Sequence, residues 1–164
     1  MALSSTLERL GYGSPDGCVA TGIHRDVIQS VGATRQLLAE ESGALCLFDR
    51  AAGVVYTLPT PKEGMQFSFS TTVAVTSNSY KVITKTVASE FLIGSVLSGN
   101  LTVGASGDIF QANGTSHVAI TSNGTDTGGL IGGCFTVTAI SATQWVIEGD
   151  IVGSGTNADP FATS

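Results

Sequence analysis

From residue 44 to residue 152 the chain alternates apolar and polar residues in short runs, each bounded by Gly, Asn, Ser or Pro. Period-two runs of β-branched and aromatic residues predict half-buried strands, with every second side chain turned toward a core. "ALCLFD" (44–49) and "VVYTL" (54–58) flank "RAAG", a connection of hairpin length. "TPKEG" turns into "MQFSFSTTVAV" (65–75), where Phe67, Phe69, Thr71 and Val73 share one face and Gln66, Ser68 and Ser70 the other. "YKVIT" (80–84), "FLIGSVL" (91–97), a short "LTV", "DIFQA" (108–112) and "HVAITS" (117–122) follow. "CFTVTAIS" (134–141) and "QWVIEGDIV" (144–152) form the last pair, joined around Ala142-Thr143. Gly94, inside one run, predicts a bulge or a close backbone approach.

About ten short strands with turn chemistry between them predict an all-β protein, an antiparallel β-sandwich or jelly-roll-like domain. No helical pattern is interleaved, which excludes parallel βαβ units. No repeat of fixed period occurs, which argues against a propeller or solenoid. The first residues differ: "SSTLERLGYGSPDGCVATGIHRD" mixes turn residues with few periodic apolars. They predict an irregular N-terminal arm over 1–36, ordered against a neighbour, ahead of a sandwich over 37–164. At the junction "TRQLLAEES" (34–42) predicts one or two helical turns capped by Thr34.

Charge narrows the partners. Of 164 residues only 12% are charged, about half the usual fraction. Residues 1–85 hold seven basic and seven acidic side chains. Residues 86–164 hold Glu90, Asp108, Asp126, Glu148, Asp150 and Asp159 and no Lys or Arg, so the net charge of −6 sits in that half. Nucleic-acid binding needs cations to neutralise phosphates, so nucleic acid is excluded as a partner. No apolar run approaches the length of a membrane span. "MALSSTLERLGYG" has no basic n-region followed by an apolar one, so the expectation is assembly in a cytoplasm.

Candidate chemistry is sparse. Cys18, Cys46 and Cys134 are an odd, widely spaced trio without a C-x-x-C pair, and Cys46 and Cys134 fall in strand patterns as small hydrophobes. His24 lies in the arm and His117 opens a strand, and neither has metal-ligand spacing. Glu148 and Asp150 share one face of a strand and mark its solvent side. The sequons at Asn100, Asn113 and Asn123 predict turns. The expectation is a protein that is not an enzyme, with no catalytic residue, metal or cofactor.

The stretch 121–155 carries eight glycines and the only tryptophan. In "DTGGLIGGCF" glycine permits positive φ and close backbone approach around the apolar pair Leu130 and Ile131, a loop suited to packing on another chain. Trp145 either joins that contact or fills the core.

"LLAEESGALCLFDRAAGVVYTLPTPKEGMQFSF" (37–69) joins an S-G, a short apolar strand, "DRAAG", "TLP" and a Gly before an aromatic strand. "NGTDTGGLIGGCF" and "ATQWVIEG" (123–149) supply a G-G-x-x-G loop and a W-x-x-x-G strand, and "GSGTNADPFATS" ends the chain. From residue 37 onward these segments resemble bacteriophage virion structural proteins. The resemblance implies a capsid decoration (cement) protein of a tailed phage: a homotrimer on the outer face of the shell, bound to the major capsid protein. The virion is then its place. For shell contact the candidates are the arm residues Leu7, Leu10, Tyr12, His24 and Arg25; for contacts between copies they are Leu130, Ile131 and Trp145. The alternative is a tail-fibre, tail-tip or head-fibre module that binds a host receptor or glycan, which predicts a cluster of exposed aromatics or carboxylates.

Overall fold

Nearly every alternating run forms a strand in the computed structural model, which describes residues 25–164. The strands are β1 (Val27–Ile28), β2 (Thr34–Gln36), β3 (Leu45–Phe48), β4 (Val54–Thr57), β5 (Gln66–Thr71), β6 (Tyr80–Ile83), β7 (Phe91–Asn100), β8 (Asp108–Asn113), β9 (Ala119–Ser122), β10 (Cys134–Ala139), β11 (Gln144–Gly153) and β12 (Phe161–Ala162). They form an all-β sandwich. One sheet has seven strands in the order β1-β3-β5-β10-β11-β7-β8, and the other has five, β12-β9-β6-β4-β2. The short run "LTV" (101–103) lies outside the strands, in an exposed turn.

Up to β6 the chain changes sheet at every strand. β1, β3 and β5 lie side by side in the larger sheet, β2, β4 and β6 in the smaller, and all four pairings are parallel. Both sheets are therefore mixed, where an antiparallel sandwich was expected. The parallel neighbours need no helix, because a strand of the opposite sheet makes each crossover. "RAAG" is accordingly an arch between sheets and not the predicted hairpin. The physical reason lies in the side chains it joins: Phe48 and Tyr56 meet across the core with ring centroids 5.6 Å apart. The Tyr56 hydroxyl donates to the Leu47 carbonyl at 2.9 Å. The carbonyls of the arch are satisfied by the next one, with the Thr76 amide donating to Ala51 (2.8 Å) and the Asn78 side-chain amide to Ala52 (3.0 Å).

The sandwich begins earlier than residue 37, since Val27–Ile28 and Thr34–Gln36 occupy the outer edges of the two sheets. Thr34 caps no helix. Its segment pairs with β4, the Leu37 amide donating to Thr57 at 2.9 Å, and only Ala39–Glu41 makes a single 3-10 turn. Ladder bonds made by both flanks outweigh the modest helical preference of so short a run. An Arg35–Glu41 ion pair at 2.5 Å braces that turn against β2.

The rings of Phe48 and Phe69 from the larger sheet meet those of Tyr56 and Tyr80 from the smaller at centroid separations of 4.5 to 5.7 Å, and Phe135 stacks on Phe69 at 5.2 Å. The final pair is the antiparallel hairpin that the sequence predicts, β10 with β11. On its other edge β11 runs parallel to β7 over all ten residues of each strand. Gly94 marks the predicted close approach in that ladder: with φ +118°, a Cβ there would lie 2.2 Å from the Ile147 carbonyl oxygen.

Two outcomes follow. Gly94→Ala forces a side chain into both a strained φ and a backbone clash, so denaturant melts should lose about 2 kcal/mol or more; an unchanged midpoint overturns the close approach. Burial, with Glu41 adding to it, pushes the Cys46 thiol from its ordinary 9.0 up to about 12. The folded state therefore holds a proton that the unfolded chain releases above pH 9. Stability should be fully present below that pH and fall as pH rises toward 12, with Cys46→Ala losing less over the first part of that range in urea titrations.

Candidate functional site

The central strands of the larger sheet present their second faces outward. β5 and β10 carry a hydroxyl or thiol at alternate positions, so the register sets Ser68, Thr136 and Glu148 in one row and Ser70, Cys134 and Asp150 in the next. Together with Arg25 and Leu45 these residues line a shallow concavity of about 460 Å³. Its floor is hydrogen-bonded, with Ser68 Oγ and Thr136 Oγ1 3.1 Å apart, and the row continues beyond it where Gln66 Nε2 donates to Thr138 Oγ1 at 3.3 Å. Arg25 stands at one side, donating from Nη2 to Ser68 Oγ (2.7 Å) and from Nε to the Gly43 carbonyl (3.0 Å). It thereby ties the start of the sandwich to the sheet face.

The opposite side of the concavity is acidic, with Glu148 exposed and Asp150 half-buried. Cys134 Sγ lies 3.5 Å from Asp150 Oδ1. Partial burial of the sulfur of this otherwise exposed residue, and then the Asp150 carboxylate, raise the thiol's pKa, contrary to what a nucleophilic cysteine requires. His117 sits apart from this face, stacked on Phe161 at 5.6 Å with Nδ1 accepting from the Asn113 amide. Among the described residues no three or more His, Cys, Asp or Glu are grouped to hold a metal. The face can donate and accept hydrogen bonds over several strands, with one cation and two carboxylates flanking it.

The residues singled out in the sequence fall in different places. Leu7, Leu10, Tyr12 and His24, and Cys18 with them, lie outside the described residues; Arg25 is on the groove. Leu130 is half-buried, its amide donating to Val152 at 3.0 Å, whereas Ile131 is 62% exposed. Gly128, Gly129 and Gly132 of this loop do adopt positive φ, but the close approach they permit is internal. A Cβ on Gly128 would meet Ile151 at 2.9 Å, and one on Gly129 would meet Val75 at 2.8 Å. Trp145 must be corrected as a contact between copies. It is fully buried and packs on Phe67 with centroids 6.1 Å apart, so it presents nothing to a second chain. Cys46 is the buried hydrophobe expected, while Cys134 is exposed because its position in β10 turns it outward. The three sequon asparagines make turns, each side-chain oxygen accepting from the amide two residues on, at 2.9, 3.0 and 2.9 Å.

Sequence reasoning missed a cluster of exposed apolar residues at the far edge of the larger sheet: Leu97, Leu101, Val103 and Ile109. Its signal was the apolar Ile109 sharing a strand face with Gln111 and Asn113. No family model, curated protein or solved structure matches this chain.

Trp145→Ala should cost about 3–5 kcal/mol in stability, the range for emptying a large aromatic site in a core, and leave the state of association unchanged. A variant of normal stability with altered association would return Trp145 to the surface.

Proposed function

We propose that this chain is a structural virion protein that binds the outer face of a bacteriophage capsid and stabilises the shell. The observation that carries the reading is the hydroxyl-lined outer face of the larger sheet, whose groove has, among the described residues, only Arg25, Glu148 and Asp150 as charged residues. Covering small hydroxyls and apolar atoms costs far less desolvation than covering a charged face, which suits a surface meant to be buried by protein. The resemblance of residues 37–164 to virion proteins supplies the kind of partner, the major capsid protein. The acidic half without a basic residue suits the outside of a shell and not the side that faces nucleic acid.

The mechanism is mass action. A protein that binds the assembled shell and not its dissociated parts stabilises it in proportion to the logarithm of its free concentration. Attachment through several linked copies strengthens this by effective concentration. In this reading Leu7, Leu10, Tyr12, His24 and Arg25 reach the shell, and Ile131 is the exposed apolar residue of the glycine loop that meets another chain. A receptor-binding module has less support, because Tyr56 and Tyr80 are buried with their hydroxyls on main-chain carbonyls and cannot stack on a sugar.

The test mixes the purified chain with undecorated capsids. It should co-sediment with them and raise their rupture temperature, and Leu7→Asp with Leu10→Asp should weaken binding at least about tenfold, or 1.4 kcal/mol. A chain that stays in the supernatant, leaves rupture unchanged and instead binds cells or glycans overturns the reading.

A further inference from the structure

The strand β8 closes one edge of the larger sheet, and of the devices that keep such an edge from pairing it carries only Asp108, at its first residue. Its six residues, DIFQAN, contain no Lys and no Pro, and they pair with β7 without a bulge. The outermost strands at the other sheet edges, β1, β2 and β12, are only two or three residues long. The Gly114 amide donates to the Leu92 carbonyl at 2.9 Å, which sets the phase of the ladder. Asp108, Phe110 and Ala112 then turn their main-chain groups toward β7, and Ile109 and Gln111 turn theirs to the open side. Outside the ladder with β7, no hydrogen bond among the described residues uses the amide or carbonyl of Ile109 or Gln111.

We propose that this edge is an interface with a second copy of the chain, β8 pairing antiparallel with β8 across a two-fold axis at Phe110. The hydrogen-bond phase selects this register. Outward-turned residues must face each other, so Ile109 of each copy exchanges bonds with Gln111 of the other. Phe110 then faces its own mate at a position where antiparallel side chains come closest. Phe110 is half-buried and packs on the core from its rim, so its mate completes a core that one copy leaves open. On the outer face Ile109, 73% exposed, gains Gln111 of the second copy as a cross-strand neighbour. No like charges meet: Asp108 faces Ala112 of the second copy and is already held by Asn157 Nδ2 at 2.8 Å. The contact is isologous and closes at two copies, in place of the trimer that the resemblance implies. It holds whether or not the chain binds a capsid.

Analytical ultracentrifugation of the full chain, paired with amide hydrogen exchange, decides it. The expected result is a species of twice 16.7 kDa, in which the Ile109 and Gln111 amides are protected. Gln111→Pro removes an amide that β7 does not use, and Ile109→Lys puts a charge at the interface. Each should halve the mass while the circular dichroism stays that of the folded chain; if the proline variant does not fold, the lysine variant decides. A monomeric wild type overturns the proposal. So does a dimer that survives Ile109→Lys, or a monomer with both amides protected, which would give the edge to residues 1–24 of the same chain.

Discussion

The fold depends on Phe48. This one side chain touches Phe69 and Phe135 of its own sheet and Tyr56 and Tyr80 of the other, so both layers are registered on it. The tyrosines carry hydroxyls into the interior, where a polar group without a partner is costly. Tyr56 finds the carbonyl of Leu47; Tyr80 donates to Val73 at 2.8 Å and lies 2.9 Å from the carbonyl of Arg50. All three acceptors sit at or beside the loops where the chain crosses between sheets. Aromatic packing and hydroxyl satisfaction thus act together, fixing where the chain turns and sending each turn across the core. The parallel order of the first six strands follows from that requirement.

The period-two alternation makes the strands legible, because it records which side chains face a core. What it omits is which sheet a strand joins. "RAAG" is as suitable for an arch as for a hairpin, and the choice rests on the contact of Tyr56 with Leu47. Thr34–Gln36 departs from its expected helical turn for a related reason: its helical preference is local, and the ladder to Val55–Thr57 that overrides it is not. The hydroxyl face was visible in Gln66, Ser68 and Ser70. Nothing in the neighbours of Arg25 forecasts a bond to Ser68, far along the chain, so the sequence alone places it in the irregular arm. Trp145 could have served surface or interior, and only the pairing of β11 inside the sheet turns it inward.

The acidic half is less uniform in space than in sequence. Glu90 is 4% exposed and accepts from the amides of Lys85 (3.0 Å) and Thr86 (3.2 Å), holding the turn before β7. Asp126 binds the side-chain amide of Asn123, and Asp108 that of Asn157, so both pin loops. Glu148 and Asp150 are left as the carboxylates of the groove. A count of charges alone would spread repulsion evenly over this half, but several of these groups serve as acceptors that order the backbone.

The position of β11 between β10 and β7 governs how the molecule comes together. β7 and β8 emerge during synthesis well before the strand that joins them to the rest of their sheet, and until it arrives the inner edge of β7 has no partner. A parallel pairing between segments so distant closes a large loop, an entropic barrier that slows the last step. The early hairpin is consequently the part of the nascent chain most in need of shelter. Its apolar residues, Leu92 and Val96 among them, stay wet until residues 144–153 slide into the gap.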